Sequence, residues 1–442
     1  MSSAVVIGAG AGGLVAAWEL ARGGCDVVLL DAWKWPGGLL GRAELEGIPL
    51  DVGAEGYSVR GGAVEQLLAD LGASELIARP NPGGAWLQTA SGAHPIPKRL
   101  VFGLPADPDA DDVRAVVGEL PAPRVASGTL AELAEAGYGR RVLDDLVTPL
   151  VGGVYSASPD DVTLAELAPA LAAAVASGVP LRQAVTDAAT DAPKGGAVHG
   201  LRGGMHGLVD LLISSARGTG NFELAVEEPV RELNRRPGGW RVGTSRRELD
   251  ADLVVLAVPL DVAVRLLGGP VVPATSRIDV VTLVLDAPGL GGEEPRGTGV
   301  LVGAEVPGVA AKALTHSTAK WAWLRETAGG REVLRLSYGR RGQPPATAGL
   351  DADALAALVR ADASVLLGRP VPEPVAVRRT GWSILPPGTP GLADAREWLT
   401  EQRTAGLGLA GAGIAGVGLA GVVPQARAEA ARLMQSTRSV DE

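Results

Sequence analysis

Residues 4–31 read AVVIGAGAGGLVAAWELARGGCDVVLLD and contain a complete local pattern. A short apolar run at 4–7, rich in β-branched residues, predicts a strand. The glycine spacing GxGxxG follows at 8–13, and apolar residues at helical spacing continue from 14 to 22. A second apolar run at 26–30 ends in Asp31, which lies 18 residues after Gly13. The predicted order is therefore strand, glycine turn, helix, strand and acid.

Each part of this pattern has a physical role in binding a dinucleotide. Glycines allow a tight turn and a close backbone approach, the N-terminus of a helix offers unpaired N–H groups to a pyrophosphate, and the carboxylate accepts hydrogen bonds from ribose hydroxyls. Because the whole strand, turn, helix and strand context is present, an ordinary tight turn does not explain the pattern. The predicted cofactor-binding residues here are Gly8, Ala9, Gly10, Ala11, Gly12, Gly13, Asp31 and Ala32.

The composition indicates a folded protein that does not bind polyanions in general. The chain has 442 residues, which predicts two or three domains, and its apolar content of 46% allows a large core. A net charge of −10 argues against nucleic acids and anionic membranes as general partners, because both attract basic patches. The single cysteine, Cys25, cannot form an internal disulfide and indicates a reducing compartment. Since residues 1–10 contain no basic signal-peptide segment, we expect a cytoplasmic protein.

A pair of glycines, Gly37-Gly38, follows Asp31 closely. Alone it is an ordinary loop signal, but here it resembles the second glycine signature of the flavin amine oxidase superfamily, Glu-Ala-x-x-Arg-x-Gly-Gly. This chain has Asp31 in place of the Glu and Trp35 in place of the Arg, so the usual positive charge beside the diphosphate is missing. Either Lys34 or Arg42 is a candidate replacement. The resemblance implies FAD as the cofactor, with contacts from Gly37, Gly38, Arg42, Gly53, Ala54 and Glu55.

Two later segments resemble further parts of the same superfamily. Residues 251–259 read ADLVVLAVP and match the strand that returns to the nucleotide domain. Before them, residues 226–233 and 240–244 predict a hairpin joined by RRPGG. In the family the first of these strands passes the adenine, which implies a contact at Val230. Trp382 is a further candidate for contact with the cofactor.

Residues 406–427 read GLGLAGAGIAGVGLAGVVPQAR, with no charge from Thr404 to Gln425. Seven glycines and no aromatic residue make a poor membrane span. Residues 411–416 repeat GxGxxG, but a single helix follows them, so a second dinucleotide fold is incomplete. The segment resembles the last flavin motif of the family, in which a helix N-terminus faces the isoalloxazine ring and stabilises negative charge. Because the segment has no Cys or His, the FAD is expected to be non-covalent. The implied contacts are Gly411, Ala412, Gly416, Val417 and Gly418.

Three segments between these motifs resemble one branch of the superfamily, the protoporphyrinogen and coproporphyrinogen oxidases. They are TPLVGGVYSASP at 148–159, HGLRGGMHGLVD at 199–210 and THSTAKW at 315–321, the last expected to be a strand. The resemblance runs in the family's order from the first strand to Arg427. It implies oxidation of coproporphyrinogen III to coproporphyrin III in haem biosynthesis, with oxygen as acceptor, six electrons removed and three hydrogen peroxide molecules formed. The Gly/Ala-rich, acid-poor middle region resembles the Gram-positive and actinobacterial coproporphyrinogen branch.

The implied architecture is an α/β fold, with a Rossmann-like FAD-binding domain of amine-oxidase type, a mixed α+β substrate domain and a helical cap. The FAD domain is expected at 1–75, 191–265 and 381–442, the substrate domain at 76–107 and 266–380, and the cap at 108–190. Helices are predicted at 111–120, 129–138, 140–146, from Ser158 towards Leu171, and at 352–367, with strands between 275 and 340 and a connection at 186–204.

The substrate implied by the resemblance carries four propionates, so its pocket should contain Arg or Lys side chains. Oxidation to the porphyrin gains aromatic stabilisation and demands no strong base, so no catalytic residue is assigned. The four histidines are scattered and show no metal-ligand spacing, so no metal site is expected. Lys320 is the favoured candidate for substrate contact, and the others are Lys98, Arg99, Arg340, Arg341, Arg378 and Arg379.

Other functions stay open. Protoporphyrinogen IX is an alternative substrate. A flavin amine oxidase of the same fold is a second alternative, although residues 405–423 contain none of the aromatic residues from which such enzymes build a cage before the flavin. A catalytically silent protein that binds FAD and porphyrin is a third, because Trp35 replaces the usual Arg. We expect a porphyrinogen and oxygen as partners, without nucleic acid or a membrane span. Transient contacts with other haem-pathway enzymes and the oligomeric state stay open.

Overall fold

A five-stranded parallel sheet forms the centre of the protein. The computed structural model describes residues 2–190, 198–272, 275–290, 292 and 296–438. Every neighbouring pair of strands in this sheet runs parallel, which confirms the α/β class. The strands, from one edge to the other, are Phe222–Ala225, Asp26–Leu30, Ser3–Ile7, Leu253–Leu256 and Leu407–Leu409.

Both faces of the parallel sheet are covered. Alternate side chains point to opposite faces, so Ala4 and Val6 pack into one apolar cluster while Val5 and Ile7 pack into another. The first face carries the helices Ala11–Arg22, Gly207–Arg217 and Leu419–Arg438. The second face carries an antiparallel meander, Val230–Arg236, Gly239–Thr244 and Glu248–Ala251, together with the helices Leu260–Leu266 and Leu392–Glu401. The predicted hairpin is confirmed as the first two strands of that meander.

A mixed seven-stranded sheet forms a second layer. Its longest strand, Ser276–Leu285, lies second from one edge and pairs antiparallel with both of its neighbours. The helix Ala352–Leu367 covers one face of the sheet. The prediction of a helix at 352–367 is confirmed. The strands, in order, are Ala376–Ile384, Ser276–Leu285, Glu332–Tyr338, Ala313–His316, Gly299–Val302, Trp86–Thr89 and Gly92–Pro95.

A helical region forms a third body with its own apolar cluster. The predicted helix start at Ser158 is wrong, because Ser158 donates to its neighbour Asp160 and a turn follows. The next helix instead begins after Thr163, whose N–H and hydroxyl both bond the Glu166 carboxylate, at 2.8 and 3.0 Å. The helices are Asp111–Val117, Leu130–Tyr138, a continuous helical stretch at 140–155 with π-helical turns, Leu164–Leu167, Pro169–Ala176 and Leu181–Thr190.

Two more predictions about local structure are corrected. The segment 315–321 is not one strand, because the strand Ala313–His316 gives way to the short helix Ser317–Lys320. The connection predicted at 186–204 is helical up to Thr190 and a strand at Val198–Leu201, while residues 191–197 lie outside the described residues. The predicted domain boundaries stay predictions.

The described residues also form several short helices and strands. Within the described part of the chain, no helix is long and apolar enough to cross a bilayer. The remaining helices are Gly38–Leu40, Arg60–Gly62, Ala63–Asp70, Ser74–Leu76, Ala322–Thr327 and Ala412–Ala415, and the remaining strands are Arg42–Leu45, Ile48–Asp51, Tyr57–Ser58, Ile77–Ala78, Leu100–Val101 and Leu104–Pro105.

Candidate cofactor site

The first glycine turn is held closed by its own packing. Gly8 has a φ of +103° and donates its N–H to the Leu30 carbonyl at 2.7 Å. A Cβ added to Gly8 would lie 2.5 Å from the Ala257 carbonyl oxygen, and one added to Gly13 would lie 1.9 Å from the Gly8 carbonyl oxygen. Both residues are therefore glycine because the strand, the turn and the helix approach one another too closely for a side chain.

Gly10 is glycine for a different reason. Its φ is −72°, which any residue adopts, and a Cβ there would have no heavy atom of the structurally described part of the chain within 4 Å. The second glycine segment lies beside it, since Gly37 donates to the Ala9 carbonyl at 2.7 Å and the position of a Gly38 Cβ is 3.4 Å from the Gly10 Cα. The two predicted segments thus present adjacent bare backbone at the N-terminus of the helix Ala11–Arg22. A methyl group at Gly10 would fill this cradle, which fits the diphosphate of a dinucleotide.

Asp31 is tied to the same turn. One carboxylate oxygen accepts the Ala9 N–H at 2.6 Å, and the other accepts the Trp33 N–H at 2.8 Å. Burial raises the pKa of Asp31, and these two backbone donors oppose the rise. Ala32 is exposed on the loop that follows.

The two candidate replacements for the missing Arg have different surroundings. Arg42 forms an ion pair with Asp210, with 3.2 Å between Nη1 and Oδ2. Lys34 stacks on the Trp35 ring, with its Nζ 5.0 Å from the ring centroid, and Trp35 itself is 68% exposed.

Val230, the predicted adenine contact, lines a cleft of about 560 Å³ that also includes Pro229, Arg265 and Leu266.

Residues 52–55 are held by hydrogen bonds to Leu39 and to Trp382. The Ala54 N–H donates to the Leu39 carbonyl at 2.8 Å, and a Gly53 Cβ would lie 2.0 Å from that same oxygen. The Trp382 indole donates to the Val52 carbonyl at 2.9 Å, which connects the segment to the edge strand of the seven-stranded sheet. Trp382 is thus brought to the site from the far end of the chain.

Glu55 is bound entirely by protein groups. Its carboxylate accepts hydrogen bonds from the Ser317 hydroxyl, the Lys320 ammonium, the Trp321 indole and the Arg335 guanidinium. Although burial by itself raises the pKa of Glu55, Lys320 and Arg335 outweigh it and lower that pKa to about 2. Lys320, predicted to contact substrate, is therefore already paired with a carboxylate at 3.2 Å.

The C-terminal glycine segment meets the N-terminal one directly. A Cβ on Gly12 would lie 2.5 Å from the Gly411 Cα. A Cβ added to Gly416 or Gly418, whose φ angles are +77° and +103°, would meet no heavy atom of the described residues within 4 Å, so the backbone between them is open. Val417 between them is 43% exposed, Ala412 begins the short helix, and Leu419 begins the long final helix. The glycine segments at 8–13, 37–38 and 411 thus belong to one region of the structure.

The structure gives several of the other basic candidates protein partners. Arg341 pairs with Asp161, and Arg379 donates to the Thr347 carbonyl. Lys98 and Arg99 are exposed in a turn. Sequence reasoning missed Arg335, a guanidinium 8% exposed in the buried strand Glu332–Tyr338. The sequence signal that could have identified it is the single charged residue, Arg335, within the run VLRLSY at 333–338.

Comparison with known proteins agrees with this geometry. Residues 11–434 match the family of flavin-containing amine oxidoreductases. The chain belongs to that family, and its fold is that of a flavin-dependent oxidoreductase.

Within this family, the chain is similar to several named oxidases. The chain is 32% identical to a coproporphyrinogen III oxidase of Mycobacterium tuberculosis over 88% of each protein, and 30% identical to that of Mycobacterium leprae over 98% of each. It is also similar to a solved structure from Exiguobacterium, provisionally named a protoporphyrinogen oxidase, with a TM-score of 0.81, 25% identity and coverage of 98% and 99% of the two chains.

Proposed function

We propose that the chain binds FAD non-covalently across the three glycine segments. The adjacent backbones of Gly10 and Gly38 would hold the diphosphate, and Asp31 would hold the ribose. The open backbone at 416–418 precedes a 20-residue helix, whose partial positive charge would favour the anionic reduced form of the ring. The only cysteine, Cys25, is buried in the core and is not a candidate for a covalent bond.

We propose that the reaction is the oxidation of coproporphyrinogen III to coproporphyrin III. The observation that carries this is the match to mycobacterial coproporphyrinogen III oxidases along 88–98% of the chain, which spans the cofactor cradle, the seven-stranded sheet and the helical region together. A bound flavin supplies two-electron oxidation with dioxygen as the final acceptor. Six electrons leave the substrate, so three dioxygen molecules become three hydrogen peroxide molecules for each porphyrin.

The protein's own contribution is binding and orientation. Because the product is aromatic, no strong base is needed, and the described site contains no cluster that resembles a catalytic triad. Basic side chains at the pocket would hold the propionates through charge-assisted hydrogen bonds. The expected location in the cytoplasm and the contacts with other haem-pathway enzymes stay predictions from the sequence.

A substrate panel tests this proposal. Oxygen uptake and porphyrin fluorescence are measured for the purified protein with coproporphyrinogen III, protoporphyrinogen IX and cyclohexylamine. We expect the highest kcat/KM with coproporphyrinogen III. A preference for protoporphyrinogen IX or for the amine would identify one of the alternative activities, and bound flavin without any turnover would support a porphyrin-binding protein instead.

A further inference from the structure

Glu55 is the centre of a buried charge cluster that joins the cofactor segment to the seven-stranded sheet. The ammonium of Lys320 and the guanidinium of Arg335 both contact its carboxylate. All three side chains are mostly buried, with exposures of 12%, 19% and 8% for Glu55, Lys320 and Arg335. Two positive charges therefore surround one negative charge, and the cluster has an excess of one positive charge.

Among the described residues, no carboxylate besides Glu55 pairs with Lys320 or Arg335. The nearest further carboxylate along the strand, Glu332, accepts hydrogen bonds from His316 and Thr318. Arg335 packs on the same face as Val333, whereas Glu332 belongs to the alternate set of side chains. Arg325 donates to the Thr318 carbonyl, and its charge acts on Glu332 and not on Glu55.

Arg335 also contacts the cofactor segment itself. Its Nη2 donates to the Gly53 carbonyl at 2.5 Å, while its Nη1 donates to Glu55 at 2.5 Å. Its Nε is buried and has no hydrogen-bond partner among the described residues. Gly53 and Ala54 are candidate contacts of the FAD. Arg335 therefore contacts a residue that is expected to contact the cofactor, and its Nε–H is a donor without a partner among the described residues.

We infer that Glu55, Lys320 and Arg335 form an electrostatic clamp that positions residues 53–54 and raises the reduction potential of the bound flavin. This rests on the proposed function. A buried positive charge stabilises the anionic reduced form more than the neutral oxidised form, because the low dielectric screens it weakly. Lys320 is thereby a positioning residue that acts on the cofactor side, and not a ligand of the substrate propionates.

Removing the positive charge of Lys320 and removing the negative charge of Glu55 should change the equilibrium constant for flavin reduction in opposite directions. In the full-length protein, Lys320→Met removes a positive charge, and we expect the equilibrium constant for flavin reduction against a reference dye to fall about tenfold, or about 30 mV for a two-electron couple. Glu55→Gln removes the negative charge and should raise the same constant. Lys320→Arg keeps the charge and should restore it. A role in folding alone would not produce opposite signs.

Matched controls come from an exposed ion pair between Arg360, in the helix Ala352–Leu367, and Glu373, in the segment that follows this helix. Arg360→Met and Glu373→Gln should leave the constant within about twofold of wild type, because exposed charges are screened by water. If Glu55→Gln does not fold, Lys320→Met against Lys320→Arg still decides the question.

The possible outcomes separate the two claims. Wild-type protein without flavin would contradict the proposed function. Flavin and turnover with an unchanged constant in Lys320→Met, or a raised KM for coproporphyrinogen alone, would overturn the clamp and restore Lys320 as a substrate contact. Loss of flavin from Lys320→Met would overturn the claimed effect on the reduction potential, because the cluster would then act on flavin binding alone.

Discussion

Gly12 and Gly411 touch backbone to backbone, although 399 residues separate them in the chain. The first lies in the opening turn of the first helix, and the second follows the last strand of the parallel sheet. The Gln425 amide fixes this end of the strand, because it donates to the Leu409 carbonyl and accepts from the Gly411 N–H. The N-terminal and C-terminal glycine motifs therefore form one continuous surface.

Gly12→Ala should separate these two motifs. A methyl group there would lie 2.5 Å from the Gly411 Cα and 2.6 Å from its N atom, and neither backbone atom can rotate away. We expect a loss of about 3 kcal/mol or more in the free energy of unfolding, from overpacking. Urea denaturation measures it. A change below about 1 kcal/mol would mean that the two motifs are not in contact.

Gly10→Ala should separate cofactor binding from folding. The methyl group would have no atom of the described residues within 4 Å, and the backbone conformation suits alanine, so the apoprotein should keep its thermal stability. The same methyl group would occupy the cradle, and we expect at least a roughly tenfold loss of FAD affinity by fluorescence titration. Gly152→Ala is the control, because its Cβ would have its nearest neighbour at 3.8 Å in the helical region. Equal affinities for the two variants would contradict the proposed cradle.

Lys312 should make the stability of the protein depend on alkaline pH. Its side chain is 2% exposed and donates to the Ser156 hydroxyl. Burial, reinforced by the nearby charge of Arg340, lowers the pKa of Lys312 to about 7, against about 10.4 when unfolded. Between these values the unfolded chain binds more protons than the folded protein, so stability rises with pH, by up to about 1.4 kcal/mol per unit.

Lys312→Met should abolish that rise, because the variant has no proton to lose at this position. Chemical denaturation at several values between about pH 7 and pH 10 measures the difference from wild type. Lys98→Met, which alters an exposed lysine, should keep the wild-type slope. Parallel curves for wild type and Lys312→Met would show that the buried amine does not titrate in this range.

Thr129→Ala should weaken the start of the helix Leu130–Tyr138. The Thr129 hydroxyl accepts the Glu132 N–H at 3.3 Å, and the Glu132 carboxylate accepts the Thr129 N–H at 2.8 Å. Loss of such a cap costs about 1 kcal/mol. Thr400→Ala is the control, because that hydroxyl only donates to the Arg396 carbonyl within its own helix. Equal losses would contradict the assigned cap.

The sequence predicts local structure well where one physical signal dominates. The first strand, turn and helix combine apolar periodicity with glycine spacing, and the helix at 352–367 has both a capping Asp351 and a terminal Gly368. Ser158 has the residue type of a cap, but the capping residue of the helix Leu164–Leu167 is Thr163, which has the reciprocal Glu166 three residues on. A cap is therefore predicted better by the reciprocal pair than by the capping residue alone.

Long-range pairing explains what the sequence could not predict. The position of Glu55 beside Gly53 and Ala54 predicts that it contacts the cofactor. Its hydrogen-bond donors, however, come from residues 317–335, far along the chain. The charge of Lys320 predicts a substrate contact, and only the fold brings a carboxylate to it. Charge at a single position does not identify a partner that is 265 residues away.

Anaerobic mixing of the purified, flavin-containing protein with coproporphyrinogen III tests the central claim most directly. We predict that the visible absorbance of the oxidised flavin is lost as coproporphyrin fluorescence appears, and that air restores the absorbance. In air, about three dioxygen molecules should be consumed for each porphyrin formed. A flavin spectrum that stays unchanged under these conditions, with no porphyrin formed above the rate without protein, would contradict the account.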